Sequence, residues 1–428
     1  MKAIIVLSLL TVVLMLFLII KFPKIKLGKL EVESFWLVPT LSALIILIFG
    51  LLPIDKAVAG LTADTSINPI KIIVLFFSMT FISIVLDEIG FFEYLAKAAL
   101  DKCKTNQMVL FLGLYFLTAI LTIFTSNDII VLTFTPFIVF FTKNAKINPI
   151  PYLVAEFVAA NTWSIIFIIG NPTNIYLATS HSIDFIEYFL VMAIPTIMSG
   201  IALTVTLFVV FRKELKKPIV PVNNTTKIKN KFLFICAITC LGLCTALLII
   251  SSYISLEMYL ISLVFALILL IILSLYSIIK KDYSYLKGSI KRIPYSLAPF
   301  IISMFVIVLS LEHVNITTYL TSLLDNDYPI LTYGVTSTLV CNFINNIPMS
   351  VLYSKIIPVG NLKALYATII GSNIGAYLTP IGALAGIMWL SILKKYDVKY
   401  NMLTFIKYGI ITVIPALLFA LLGLALVL

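Results

Sequence analysis

Ser126-Asn127-Asp128 and Gly170-Asn171-Pro172-Thr173-Asn174 in one half of the chain are answered in the other by Asn342-Phe343-Ile344-Asn345-Asn346-Ile347-Pro348, Gly371-Ser372-Asn373 and Thr379-Pro380. All of them interrupt a sequence that is otherwise almost wholly apolar. Amide side chains and non-helical backbone at membrane depth cost roughly several kcal/mol unless protein groups or a wet cavity satisfy them. Their recurrence in corresponding places points to a solute site built where two repeats meet.

Composition forces the membrane setting. Of 428 residues 61% are hydrophobic and 11% charged, with a mean hydropathy of +1.13, whereas a soluble domain carries about a quarter charged residues. Apolar runs long enough for about 30 Å of hydrocarbon lie near 2–20, 35–53, 70–88, 151–169, 185–211, 232–252, 256–279, 294–311, 364–393 and 403–428. Two further stretches, 107–141 and 329–357, are split by the polar clusters and read as re-entrant hairpins. The expected fold is therefore an all-α polytopic membrane protein of about ten transmembrane helices and two hairpins, with helices broken at the midplane. A basic stretch at 213–231 separates residues 1–212 from 232–428, each with five spans and one hairpin. An odd number of spans turns the second repeat upside down relative to the first. Within the loop at 91–106, Phe91, Phe92, Leu95, Ala96, Ala99 and Leu100 alternate with Glu93, Lys97 and Asp101 at helical spacing, as in a connector lying on the inner surface.

The net charge of +11 would suit nucleic acid, but its distribution excludes that partner. With the N-terminus outside, the inward loops collect 25 of the 30 basic residues, and the outward segments keep Lys2, Lys56, Lys71, Lys355 and Lys363. That is the positive-inside pattern of a multi-pass protein of the inner or plasma membrane. The opening segment reads as a retained span, with a cleaved leader as the alternative.

The half-helices at such breaks aim free N–H groups or carbonyls at whatever sits between them. Ser126, Asn127, Asn161, Asn171, Thr173, Asn174, Asn345, Asn346, Ser372, Asn373 and Thr379 add donors and acceptors there and are the candidate substrate contacts. The plainer reading of any one of them is a cap or an interhelical hydrogen bond. Asp128 and Glu156 are the carboxylates placed within the first-half core and are the proton-coupling candidates, since intramembrane acids commonly serve as relays. An Asp128 that merely caps the following helix, and a Glu156 that reaches the inner surface, are the alternatives. Only Arg212 and Arg292 are arginines, and both fall at inner loop boundaries. A di- or tricarboxylate normally calls for arginine forks, so a small neutral or weakly charged solute fits better.

Cys236, Cys240 and Cys244 form one stripe on a helix, which suits packing, and Cys341 adjoins the second hairpin tip. His181 and His313 lie in separate outward loops, and one histidine per loop is not a metal site. No phosphate loop, dinucleotide fingerprint or nucleophile triad is present. The expectation is a transporter, not an enzyme, with no cofactor beyond a coupling ion, proton or sodium.

At these residues the chain resembles the arsenite permease family of the ion transporter superfamily, which also holds sodium/proton antiporters and divalent anion/sodium symporters. The matching stretches are Ser126-Asn127-Asp128 running into Leu132-Thr133-Phe134-Thr135-Pro136, Ala159-Ala160-Asn161-Thr162, Asn171-Pro172-Thr173-Asn174 and Asn345-Asn346-Ile347-Pro348. The most specific is Gly371-Ser372-Asn373-Ile374-Gly375 with Leu378-Thr379-Pro380-Ile381-Gly382-Ala383-Leu384-Ala385 and Trp389-Leu390. The resemblance implies inverted repeats with two hairpins, an elevator-type movement, and export of arsenite and antimonite driven by protons or by a cytoplasmic ATPase partner. Asn161 and Asn373 stand where that family often carries aspartate, which leaves Asp128 as the chief coupling candidate. A sodium-coupled carrier of carboxylates or another anion is the second expectation, and a receptor or scaffold without transport is a third. Besides solute and lipid, the candidate partners are that ATPase and a second copy of the chain as a homodimer.

Overall fold

The computed structural model describes residues 2–22, 24–27, 30–62, 68–94, 106–217, 228–251, 254 and 256–428. Most of the connector expected at 91–106 and of the basic stretch at 213–231 lies outside them.

The first half runs α1 (Lys2–Lys21), a small antiparallel ribbon β1 (Lys24–Leu27) and β2 (Leu30–Glu33), α2 (Leu37–Ile48), α3 (Ile54–Thr62) and α4 (Pro69–Glu88). Next come the hairpin α5 (Gln107–Phe124) and α6 (Asn127–Asn144), the broken pair α7 (Ile150–Trp163) and α8 (Pro172–Ser180), and α9 (Phe185–Phe211). The second half repeats that series. It runs α10 (Lys231–Ile249), α11 (Met258–Lys280), α12 (Ser284–Lys291), α13 (Leu297–His313) and α14 (Ile316–Leu324), then the hairpin α15 (Pro329–Ile344) and α16 (Asn346–Ile356). The broken pair α17 (Leu362–Ile374) and α18 (Leu384–Lys395) and the final α19 (Met402–Val427) complete it.

Local chemistry sets the boundaries. Asn68, Asn106, Asn230 and Asn401 each accept backbone N–H groups at the start of α4, α5, α10 and α19, and Asp184 does so for α9. Such caps satisfy donors that lipid cannot. Among the described residues seven helices are long and apolar enough to span: α1, α4, α5, α9, α10, α11 and α19. The other expected spans take different forms. The stretch 35–53 yields a helix of only 12 residues, about 18 Å long, because Gly50 turns left-handed at φ 65° and Pro53 follows. Helix α13 continues into α14 through an 84° bend. The runs 151–169 and 364–393 are broken helices, interrupted by 3₁₀ turns at Ile168–Gly170 and Gly375–Tyr377. The ribbon at 24–33 and the short α3 and α12 had no counterpart in the sequence reading.

Packing obeys the same exchange of halves. Helix α9 lies along α19, α4 packs on α11 while α2 packs on α13, and α6 holds α18 while α16 holds α8. Each contact thus has a partner with the halves interchanged, which interlocks the repeats. The Cys240 and Cys244 stripe faces α4, with Cys244 Sγ 3.7 Å from Met79 Sδ, so it serves packing. One close seam joins α15 and α17, where a Cβ on Gly371 would lie 2.6 Å from the Gly334 carbonyl oxygen and one on Gly375 2.7 Å from that of Thr338. In lipid, where apolar burial does not drive helices together, such close backbone approach is the main attraction. Gly375→Val is expected to destabilise the protein by about 1–3 kcal/mol, read as earlier thermal unfolding in detergent. Gly242→Ala, in open space within α10, should leave the transition where it is or raise it slightly, since alanine is the better helix former.

Candidate functional site at the helix breaks

Hairpin 1 turns at Thr125 and Ser126, and α6 begins at Asn127 with no side-chain cap from Ser126. Asp128 lies in the first turn, where the positive end of the helix dipole favours a carboxylate. The tip is anchored to the first broken helix: Asn127 Nδ2 donates to Asn161 Oδ1 at 3.0 Å, and Asn161 Nδ2 donates to Phe157 O at 2.8 Å. Ser126 Oγ and Asn127 Oδ1 are buried with no hydrogen-bond partner.

The two breaks are knotted together. Asn373 Oδ1 accepts from Ser164 Oγ at 3.0 Å and from Asn171 Nδ2 at 2.8 Å, while its Nδ2 donates to Asn174 Oδ1 at 2.7 Å and to Ile369 O at 2.9 Å. Asn174 Nδ2 in turn donates to the Ser164 carbonyl at 2.8 Å. Asn171 Oδ1 caps Thr173 N, and Thr173 Oγ1 meets Ser372 Oγ at 3.1 Å. Thr162 Oγ1 and Tyr377 OH, 3.2 Å apart, add a further link between the breaks. Carbonyls freed by the 3₁₀ turns are thereby paired inside the protein.

Hairpin 2 closes on its own break. Asn345 Nδ2 donates to Ile381 O at 3.0 Å, its Oδ1 accepts from Ile347 N at 3.3 Å, and Asn346 N donates to Gly382 O at 2.9 Å. Asn342 spans the same break, donating to Gly375 O and accepting from the N–H and hydroxyl of Thr379. Asn345 adopts φ 74°, ψ 154°, a region costly for any residue but glycine and retained only where surroundings enforce it. Cys341 Sγ lies 3.2 Å from Thr338 O and is sealed.

A cavity of about 550 Å³ reaches hairpin 1. Ser126, Asp128 and Ile129 from the tip line it, with Phe76, Thr80 and Ile84 of α4 opposite and Leu384, Ile387, Met388 and Ser391 of α18 at the side. Lys21, Glu33 and Arg292 stand at its mouth. Arg292 is committed to Asp87 and to Glu88, 2.9 Å from the latter, so the cavity offers no free guanidinium. Glu156 is not among the residues that line this cavity. It is 1% exposed, Trp389 Nε1 donates to its Oε2 at 3.2 Å, and Thr135 Oγ1 lies 3.0 Å from its Oε1.

Of the candidates named from sequence, then, Ser126 and Asp128 line the cavity, and Asn127 between them is tied to Asn161. Asn161, Asn171, Thr173, Asn174, Ser372 and Asn373 gather in the knot, and Asn345, Asn346 and Thr379 at the second tip. Sequence reading quoted Asn342 and Thr135 within its motifs without making them site candidates, and passed over Ser164, Thr80 and Tyr377. Ser164 and Asn342 sit beside named polar residues and could have been found by proximity; Thr80, a hydroxyl within an apolar span with its Oγ1 unpartnered, gave no signal. Among the described residues no group of histidine, cysteine and carboxylate could hold a metal.

Interlocked inverted repeats with two hairpins, two broken helices and a polar-tipped cavity define a multi-pass membrane transporter. The chain belongs to the citrate transporter family, whose model matches residues 4–360. It is 27% identical over 376 residues to the arsenical pump membrane protein of Escherichia coli, covering 82% of this chain and 85% of that one. It is also 27% identical over 377 residues to the protein of that name in Yersinia enterocolitica, with the same coverage. A 46 kDa membrane protein of Mycobacterium leprae is 25% identical over 369 residues, covering 80% and 83% of the two chains. The crystal structure of the Alcanivorax borkumensis YdaH transporter, described as having an unusual topology, shares the fold with a TM-score of 0.56 at 12% identity over 99% of this chain and 97% of that one.

Removing one member of the knot should weaken the others. Asn373→Ala and Asn174→Ala are each expected to lower stability, and the double variant to lose less than their sum by about 0.5–2 kcal/mol, measured by thermal unfolding of the four proteins.

Proposed function

We propose that this transporter exports arsenite and antimonite in exchange for protons. The observation that carries the reading is the wall of the cavity at hairpin 1, lined by Asp128 and Ser126, where Arg292 is already paired and Lys21 is the remaining basic residue; the buried, unpartnered Oδ1 of Asn127 lies between the two in the chain. Arsenous acid is largely undissociated near neutrality and presents hydroxyl donors, which match the carboxylate and the hydroxyl of that wall. A tricarboxylate would meet Asp128 with like charge and find Arg292 already paired. The same carboxylate supplies the coupling. Ionised, Asp128 accepts hydrogen bonds from the solute; protonated from the outer side, it gives up that acceptor and the solute leaves. Glu156, the other acid named from the sequence, lies outside the cavity lining and takes no part in this exchange.

In the proposed elevator movement, the hairpins and broken helices carry the tip across while the helices packed around them stay fixed. The charge pattern places the mouth bearing Lys21 and Arg292 on the cytoplasmic side, the side from which an exporter loads. The resemblance adds a cytoplasmic ATPase and a homodimer as partners, each checked by copurification and by mass in detergent.

A second reading follows from the family's own description and from the arsenical pump relatives' distance: a sodium-coupled carrier of citrate or another anion. Everted vesicles separate the two. Arsenite accumulation driven by a proton gradient, indifferent to sodium and reduced about tenfold or more in Asp128→Asn, supports export. Sodium-dependent citrate or succinate flux with no arsenite movement rejects it.

A further inference from the structure

Glu156 sits where three elements of the moving unit meet: α6 of hairpin 1, its own α7, and the half-helix α18 from the other repeat. Its carboxyl touches Thr135 of α6 and Trp389 of α18. Trp389 is packed in turn against Phe157 at 5.0 Å, Tyr400 at 4.9 Å and Phe405 at 5.7 Å. Opposite Trp389 on the same half-helix, Leu384, Ile387, Met388 and Ser391 form one wall of the cavity. Whatever holds Trp389 therefore sets that wall.

The contacts at Thr135 and the lack of a nearby cation together favour a neutral acid. Thr135 Oγ1 lies 2.6 Å from the Val131 carbonyl oxygen, 3.0 Å from Glu156 Oε1 and 3.2 Å from its Oε2, Oε1 being the nearer of the two. A threonine hydroxyl has one proton, and two bare oxygens do not rest 2.6 Å apart, so that proton lies between Thr135 and Val131. A hydrogen from the acid then completes the contact with Glu156 without sharing that one proton between two acceptors. Oε2 accepts from Trp389 Nε1 at 3.2 Å, which leaves Oε1 to carry it. No lysine or arginine among the described residues pairs with Glu156, and burying an unpaired carboxylate is strongly unfavourable.

We infer that Glu156 is a neutral, proton-bearing positioning residue: its O–H donates to Thr135 and its carbonyl accepts from Trp389, clamping α18 to hairpin 1 throughout the cycle while Asp128 alone exchanges protons. Only the last clause rests on the proposed function; the clamp stands without it. The chemistry gives an ordering that separates a clamp from a coupling acid. Glutamine keeps the length, the donor and the acceptor, whereas aspartate keeps the acid and withdraws it by one methylene.

The test joins transport to infrared spectroscopy of the purified protein. Glu156→Gln is expected to transport within about threefold of the parent and Glu156→Asp to fall about tenfold or more, as misplacements of an ångström commonly cost one to two decades. At neutral pH the parent should show a protonated-carboxyl C=O band that is lost in Glu156→Gln and shifts to higher frequency in Trp389→Phe, where one hydrogen bond is gone. Glu156→Asp outperforming Glu156→Gln, or a parent spectrum without the band, overturns the inference. Should the Glu156 variants fail to fold, the Trp389→Phe shift decides alone. If no solute is found to move, the spectra still test the clamp, so its failure and that of the export reading are told apart.

Discussion

Every interruption of a helix inside lipid frees carbonyl and N–H groups that no solvent will take, and each left bare costs roughly several kcal/mol. This protein breaks two helices and turns two hairpins at that depth. An interhelical side-chain hydrogen bond in a membrane is worth only about 0.6 kcal/mol on average, so the asparagine knot does not hold the fold by its gross strength. It matters because it removes penalties that are larger. Asn373 reaches Ser164, Asn171 and Asn174 of the opposite break, partners from the other half of the chain. The exchanged pairings of α4 with α11 and α2 with α13 are what bring the breaks together.

Repetition of architecture has not produced repetition of chemistry. At the second tip Asn345, Asn342 and Thr379 spend their hydrogen bonds on the adjoining break. At the first tip Asn127 makes one link to Asn161, leaving its Oδ1 and the Ser126 hydroxyl without partners, beside an acid at the edge of a cavity. The proposed division follows: one tip secures the moving unit, the other receives the solute. Glu156, sealed between Thr135 and Trp389, belongs in this account with the securing groups although it is an acid.

Much of this was legible in the sequence, because lipid leaves few options. Long apolar runs marked the helices α1, α4, α9, α10, α11 and α19, and the amides marked the breaks, since an asparagine at membrane depth must be answered by another group. The short α2 was hidden because hydropathy measures apolarity and not continuity; Gly50 and Pro53 were the available warning. The same blindness concealed the bend between α13 and α14. Within the site, the sequence could name Asn127 and Asn345 as tip residues but could not tell the spent amide from the free one. That distinction depends on which carbonyl lies opposite, a property of packing across more than 200 residues, as between Asn171 and Asn373. Thr80 escaped for the same reason.

The open first tip and the closed second one are compared most directly at a pair of positions related by the repeat, Asp128 and Ile347, each the second residue of its inner hairpin arm. Asp128 is half-buried at the cavity and Ile347 is buried. In a background free of other cysteines, Asp128→Cys and Ile347→Cys would be exposed to a membrane-impermeant maleimide in everted and right-side-out vesicles. The account predicts that Asp128→Cys reacts, and faster when the cytoplasmic face is presented, while Ile347→Cys stays unreacted. Equal labelling of the two, or labelling of Ile347→Cys alone, would contradict it.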